Sequence, residues 1–245
     1  MTDSYEIIGT GKIILKYKKF VDKKIISNRK NIEKFWQKSK QENNKIFNGD
    51  VLSFVNFSIQ NDEIIVDCTF RKFVDVLMSR KMPQLGFQIK PIGVSGLLLI
   101  NDNNKNYVLF STRSLDVSEY PGYLELVPSG HIDKKTPKKD GLIDYLAKLR
   151  DEFVEETGLS SNLINEMKSI CLIFDRTIDV FDVCCLIKIN MSKEKIFNAF
   201  KKITEYNNPE FVLIQDLNNF LEKNKQKIVP TSVGIITYFK KRNYQ

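Results

Sequence analysis

The sequence is organised around the acidic stretch Glu152-Phe153-Val154-Glu155-Glu156-Thr157-Gly158-Leu159, which follows the segment Val127-Pro128-Ser129-Gly130-His131-Ile132-Asp133. Between these two segments, apolar residues recur at spacings of four, three and four, at Leu142, Leu146, Leu149 and Phe153. This spacing predicts a helix with one buried face. Asp140 is placed to cap the start of the helix, and Gly158 is placed to end it in a left-handed conformation.

Three glutamates lie along one border of the predicted buried face. Because each residue turns a helix by about 100°, Glu156, Glu152 and Glu155 follow in that order away from the apolar stripe. Their spacing brings them within about 5–6 Å of one another. Each dry, uncompensated pair would cost about 3 kcal/mol at an effective dielectric of about 20. Water, splayed rotamers or a divalent cation would relieve this repulsion. The alternative is a solvated acidic helix end.

The two segments together resemble the Nudix box, which runs Gly-x5-Glu-x7-Arg-Glu-apolar-x-Glu-Glu-x-Gly-apolar. Its second half is matched by the stretch Glu152 to Leu159, and its opening is matched by Pro128 to Asp133. The strand-like run Tyr123-Leu124-Glu125-Leu126-Val127 comes before that opening.

The chain departs from the box in three places. The loop before the helix is about seven residues longer than the family spacing and contains Lys134-Lys135-Thr136-Pro137-Lys138-Lys139. Asp151 stands where the family has Arg, and Arg150 is one place early. The early Glu of the box has no clear counterpart, since Asp140 and Asp144 are the nearest acids. These changes bear on loop geometry more than on metal binding.

Length and composition allow one large domain or two small ones, because the chain has 245 residues and 42% hydrophobic content. No apolar run reaches the roughly 18–20 residues that span a bilayer, and Met1-Thr2-Asp3-Ser4-Tyr5 lacks the pattern of a signal peptide. We therefore expect a cytoplasmic protein without a membrane partner. Cys68, Cys171, Cys184 and Cys185 lack a paired metal-ligand spacing, and we interpret them as reduced.

The positive charge is concentrated near the start of the chain. The formal net charge is +8, and between Lys12 and Lys45 twelve basic residues stand against Asp22, Glu33 and Glu42. Such a patch attracts phosphates of a nucleotide, an RNA or a membrane surface. The alternative is a solvated lysine-rich surface, and no aromatic-interleaved RNA motif strengthens the RNA interpretation.

Pattern and turn residues predict an α/β (α+β) chain in two parts. Residues 1–90 are expected to form an N-terminal αβ element, with strands in residues 5–20, 51–59 and 63–70 and helices near 31–41 and 72–80. Residues 91–245 begin with a hairpin at Gly93 to Arg113. Later strands are expected at 170–174, 180–189 and 211–214, with helices at 193–202, 216–223 and 231–241. The resemblance implies a Nudix-type mixed β-sheet sandwiched between helices for this second part.

The resemblance also implies a chemistry. Family members cleave a nucleoside diphosphate linked to another moiety, with Mg²⁺ or Mn²⁺ and an attacking water. By resemblance, the metal ligands are Glu152, Glu155, Glu156 and the backbone carbonyl of Ser129. Hard oxygen ligands of this kind suit such cations.

Further site residues are candidates by position. A glutamate after the box often assists catalysis in the family, and Glu210 is preferred here over Glu205. Arg113 could contact a phosphate or base, or pair with a surface acid. Tyr120 could stack on a base or pack within its turn. His131, the only histidine, could touch a phosphate or simply occupy a variable position.

A narrower resemblance covers almost the entire chain. Ile46-Phe47-Asn48-Gly49, the Gly-Val-Ser hairpin, Tyr-Pro-Gly and Val229-Pro230-Thr231 together look like the UDP-glucose pyrophosphatase type of Nudix protein. The implied reaction converts a UDP-sugar to UMP and a sugar 1-phosphate. The alternatives are hydrolysis of an RNA cap of the NAD or m7G type or of a dinucleotide, and a non-catalytic nucleotide-binding module. The sequence leaves a homodimer open.

Overall fold

The fold is built from mixed β-sheets with helices packed against them. The computed structural model describes residues 4–44, 46–201, 203 and 206–243. Within this part of the chain, the strands form two sheets, one of eight strands and one of five. The predicted α+β class is confirmed.

Groups of consecutive strands are separated by helices along the chain. The first half contains β1 (Tyr5–Thr10), β2 (Lys12–Tyr17), α1 (Lys23–Ser27), α2 (Arg29–Glu42), β3 (Asp50–Gln60), β4 (Glu63–Lys72), α3 (Phe73–Lys81), β5 (Ile92–Asp102) and β6 (Lys105–Arg113). The second half contains β7 (Leu124–Leu126), β8 (Ser129–His131), β9 (Lys138–Lys139), β10 (Leu142–Ile143), α4 (Tyr145–Thr157), β11 (Ile164–Asp175), β12 (Val180–Asn190), α5 (Lys193–Phe200), β13 (Tyr206–Leu213), α6 (Leu217–Asn224) and α7 (Pro230–Asn243).

The larger sheet has the order β1-β11-β12-β5-β6-β13, with β7 paired to β6 and β8 paired to β5. Strands β12 and β5 run parallel at its centre, and their residues are almost all buried, as expected for a strand covered on both faces. One face packs against α4, through Leu149 and Phe153, and against the smaller sheet. The other face packs against α7, through Ile235 and Ile236. The sheet is therefore covered by helices on both faces.

The smaller sheet has the order β3-β4-β2-β10-β9. Each of the two predicted parts of the chain contributes strands to the sheet formed mainly by the other part. Strand β1 leaves the N-terminal part to pair with β11 of the larger sheet. The β9–β10 hairpin comes from the long loop of the box and pairs with β2, where Leu142 lies opposite Lys16. The extra residues of the box loop thus extend the sheet of the N-terminal part. The predicted division near residue 90 stays a prediction.

Helix α4 begins later than the apolar spacing predicted. Leu142 belongs to β10 and its side chain is 45% exposed, because the strand pairing takes precedence over helix formation there. Asp140 has a φ of 52° and lies in the hairpin turn, so its predicted role as a cap is wrong. Instead, the carboxylate of Asp144 accepts the Ala147 N–H at 2.9 Å. The predicted end is confirmed, since Gly158 is left-handed with a φ of 68°.

Two sequence expectations concern membrane-spanning helices and the state of the cysteines. None of the described helices is long and apolar enough to cross a membrane. All four cysteines are free and buried in the core.

Candidate functional site

A cleft of about 640 Å³ opens between the box loop, the helix α4 and the N-terminal part of the chain. Its walls include the box residues Ser129, Gly130, Glu152 and Glu156. This volume lies in the range of about 300–1,000 Å³ that is usual for small-molecule sites.

Two of the predicted glutamates face this cleft, and one of them, Glu156, binds the box loop. Glu152 and Glu156 are only 8% and 2% exposed, because they follow the buried flank of α4. The Glu156 carboxylate accepts the backbone N–H of Ser129 at 2.8 Å. The Lys148 ammonium lies 2.5 Å from Oε1 of Glu152, one helical turn away. The charge-assisted bond from Ser129 to Glu156 therefore holds helix and loop together, whereas the Lys148–Glu152 pair lies within α4.

Gly130 allows the loop to approach the helix closely. A β-carbon at this position would lie 2.7 Å from Cγ of Glu152 and nearer still to its carboxylate. Any larger residue would have to displace the Glu152 side chain or the loop. The glycine of the box is thus required by packing at the site.

The third glutamate takes a different position. Glu155 is exposed on α4 and is not among the residues that line the cleft. In the described residues, no three His, Cys, Asp or Glu side chains are gathered as a metal-binding group. Mg²⁺ usually binds proteins through one or two carboxylates together with waters and substrate phosphates. The chemistry of the Glu152 and Glu156 pair fits that requirement.

A buried network that the sequence did not predict lies beside the box loop. Glu125 of β7 forms an ion pair with Arg113 and accepts the Tyr206 hydroxyl at 2.9 Å. Tyr206 also lies 3.1 Å from the Ser129 hydroxyl. Burial would lower the pKa of Arg113, but the Glu125 carboxylate outweighs it and the pKa is raised. Burial, followed by the charges of Glu125 and Glu156, raises the pKa of Tyr206 well above its ordinary value, so its hydroxyl keeps its proton.

Two further acids line another part of the cleft and were also missed. Asp182 of β12 accepts the hydroxyls of Thr231 at 3.0 Å and Ser95 at 3.2 Å. Burial raises the pKa of Asp182 to about 7. Burial also raises the pKa of Asp175, which accepts the Tyr120 hydroxyl at 2.7 Å. An aspartate within the apolar run Val180 to Cys185 was the available signal for Asp182.

The remaining predicted residues are divided between the cleft and other surfaces. Arg113, Tyr120 and His131 all line the cleft. Arg113 is paired with Glu125, and the Tyr120 ring packs 5.4 Å from that of Tyr123, between centroids. The His131 side chain is exposed at the end of β8.

Glu210 is not brought to the cleft. It lies exposed on β13, where it lines a separate shallow groove with Lys193. Strand β13 begins at Tyr206 and shifts its register between Asn207 and Glu210, so Tyr206 is the β13 residue that reaches the box loop. Glu205 lies outside the described residues.

The fold is similar to solved structures of Nudix proteins. The NUDIX domain of Shewanella oneidensis NrtR, solved with ADP ribose, is 14% identical, and the alignment covers 64% of this chain and 90% of that one with a TM-score of 0.46. An Ap4A hydrolase of C. elegans, solved as a binary complex, is 13% identical over 61% of this chain and 95% of that one, with a TM-score of 0.38. A NUDIX hydrolase from Alicyclobacillus acidocaldarius is 10% identical over 60% of this chain and 89% of that one, with a TM-score of 0.41.

No family model matches the sequence, and comparison with curated proteins gives no match. Since the structural alignments have such low identities and TM-scores, the function must be inferred from the residues of the cleft.

Proposed function

We propose that this chain is a divalent-metal-dependent Nudix hydrolase that cleaves the pyrophosphate of a nucleoside diphosphate linked to another moiety. One observation carries the proposal. Glu152 and Glu156, from the helical half of the box, face the same cleft as Ser129 and Gly130, from its loop half. The sequence motif thus corresponds to a contiguous set of cleft residues.

Glu152 and Glu156 are the residues that would hold the cation, with the Ser129 carbonyl as a further ligand. Glu155 stays a predicted ligand, although it is exposed. When bound, Mg²⁺ or Mn²⁺ supplies charge to offset the pyrophosphate and lowers the pKa of a bound water.

Other residues of the chain are suited to binding and orienting the phosphates. Lys148 and Arg113 line the cleft in ion pairs with Glu152 and Glu125, and their remaining N–H groups are donors for the oxygens of an anionic substrate. The Tyr206 hydroxyl keeps its proton and donates a hydrogen bond to Glu125, which fixes the carboxylate that pairs with Arg113. A general base must reach the attacking water within about 3 Å or through one water. Because Glu210 is outside the cleft, we do not propose it as this base.

The substrate that we propose is a nucleotide sugar such as UDP-glucose, cleaved to UMP and glucose 1-phosphate. Short segments of the narrower resemblance support this choice, because all four contribute residues to the lining of the cleft, Gly93, Ser95 and Tyr120 among them. Phe47, Asn48 and Gly49 line the cleft from the N-terminal part of the chain, and Val229 and Thr231 line it from the C-terminal part. Residues far apart in the sequence, which resemble the same Nudix type, are therefore near the box residues.

A Mg²⁺-dependent turnover assay tests this function. UDP-sugars, ADP-ribose, dinucleoside polyphosphates and capped RNA would be compared at equal concentration, with products separated by anion-exchange chromatography. We expect UMP and sugar 1-phosphate from UDP-sugars at the highest kcat/KM. Preferred cleavage of another substrate would reject the nucleotide-sugar assignment alone. Binding of nucleotides without any cleavage would instead support a non-catalytic module.

A further inference from the structure

We propose that the N-terminal part of the chain and the box loop together form the nucleobase-binding wall of the cleft, with Phe47 stacking on the base and Lys72 and Lys134 binding a phosphate. This inference deepens the proposed function and rests on it, since it assumes that the ligand is a nucleotide. It assigns recognition to residues other than the predicted metal ligands of the box.

Phe47 is an exposed aromatic residue at a cleft, held by an anchored loop. Phe47 is 81% exposed, yet it lines the cleft. The next residue, Asn48, accepts the Val74 N–H through its side chain at 2.9 Å, and the Gly49 carbonyl accepts the Phe73 N–H at 3.0 Å. The loop is thus fixed to the start of α3, immediately after Phe47.

Gly49, two residues after Phe47, lies close to the Phe47 ring. A β-carbon at Gly49 would lie 3.2 Å from Cε1 and 3.3 Å from Cδ1 of Phe47, so this side of the ring lies against the glycine. Most of the residue is nevertheless open to solvent. Exposed aromatic rings in such positions bind bases by stacking, which every base allows because every base has a π-face.

Two lysines stand on the same wall and share one carboxylate. Oδ1 of Asp50 lies 3.2 Å from the Lys72 ammonium and 2.9 Å from that of Lys134. Burial would raise the pKa of Asp50, but the two lysines outweigh it and lower the pKa, so the carboxylate stays ionised. The cluster carries a net positive charge, and the side chains of its lysines remain 46% and 57% exposed. Lys135 adds a further positive charge to this lining.

The origin of these residues explains why they meet. Lys72 ends β4 and Asp50 begins β3, whereas Lys134 belongs to the loop that carries the β9–β10 hairpin onto the smaller sheet. The extra length of the box loop therefore brings Lys134 to Asp50. We infer that the same insertion completes the phosphate-binding part of this wall.

The test compares ligands that differ only in the base. Dissociation constants of UMP, AMP and ribose 5-phosphate would be measured by calorimetry for the full chain, because none of these ligands contains a pyrophosphate to cleave. We expect the wild type to bind UMP or AMP more tightly than ribose 5-phosphate. Phe47→Ala should weaken nucleotide binding about tenfold, as expected for a lost stacking contact, and leave ribose 5-phosphate unchanged. Lys72→Met should weaken all three ligands.

Two variants control for other effects of removing a ring. Phe197→Ala removes a partly exposed ring from α5, outside the cleft, and should change no affinity. Phe47→Tyr should retain the base preference. The inference would be overturned if Phe47→Ala bound each nucleotide as tightly as the wild type does. It would also be overturned if the wild type bound ribose 5-phosphate as tightly as the nucleotides. Loss of base-dependent binding in Phe47→Ala would support the inference even if the protein cleaved no UDP-sugar. Absence of cleavage would reject the proposed function alone.

Discussion

The backbone of Gly130 lies so close to the Glu152 side chain that no β-carbon fits between them. This contact joins the loop half of the box to its helical half. It also fixes the direction in which the Glu152 carboxylate enters the cleft. The geometry of the site thus depends on the absence of a side chain as much as on the presence of the acids.

Gly130→Ala should therefore reduce hydrolysis by about tenfold or more and destabilise the fold by about 1–3 kcal/mol, because the added methyl group overpacks the contact. Turnover and urea unfolding would measure the two effects. In a double-mutant cycle with Glu152→Ala, the stability cost of Gly130→Ala should shrink, since the clashing atoms are gone. Strictly additive costs would show that the clash is not the cause.

Glu156→Gln should lower turnover at least about a hundredfold, because the neutral amide removes a charge that would bind the cation. The amide oxygen can still accept the Ser129 N–H, so we expect the unfolding midpoint to change little. Steady-state kinetics with Mg²⁺ and with Mn²⁺ would measure the effect. Glu222→Gln, on the exposed face of α6, is the matched control. Unchanged turnover in Glu156→Gln would refute the assignment of the metal site.

Arg113→Met should destabilise the protein by about 3–5 kcal/mol, since it leaves the buried Glu125 carboxylate without its ion-pair partner. The double variant Arg113→Met with Glu125→Gln should recover part of this loss, because the unpaired charge is then absent. Equilibrium unfolding in urea would compare the three proteins. A double variant no more stable than Arg113→Met would contradict the charge-burial explanation.

Asp182 should make stability fall as the pH rises from about 4 to about 7. Its pKa is raised from 3.8 to about 7, so the folded protein binds a proton that the unfolded chain releases in this range. The slope is at most about 1.4 kcal/mol per pH unit, and the penalty is absent below both pKa values. Asp182→Asn should therefore gain stability relative to wild type between pH 5 and pH 8, measured by urea unfolding. Asp116→Asn, at an exposed loop position, should show no such gain.

The order of the glutamates around the helix could be predicted from sequence alone. A rotation of about 100° per residue places Glu156 deepest, Glu152 next and Glu155 outermost, and the structure has the same order of burial. The end of the helix was equally local, because a glycine in the left-handed region stops a helix wherever it occurs.

The start of the helix could not be predicted, because it depends on a partner distant in sequence. Leu142 fits the apolar period, but it is held by β2, and strands of two residues such as β9 and β10 leave no recognisable pattern. The buried partners in the cleft were missed for a related reason. Tyr206 and Glu125 are 81 residues apart, and their contact exists only once the sheet has formed.

The exchange of strands between the two sheets has a consequence for protein engineering. A chimera that replaced the first ninety residues with those of another protein would also replace β1, an edge strand of the large sheet. It would remove β2 as well, the strand that pairs with the β9–β10 hairpin. The proposed recognition wall and the proposed metal site thus belong to one interlaced unit and not to interchangeable modules.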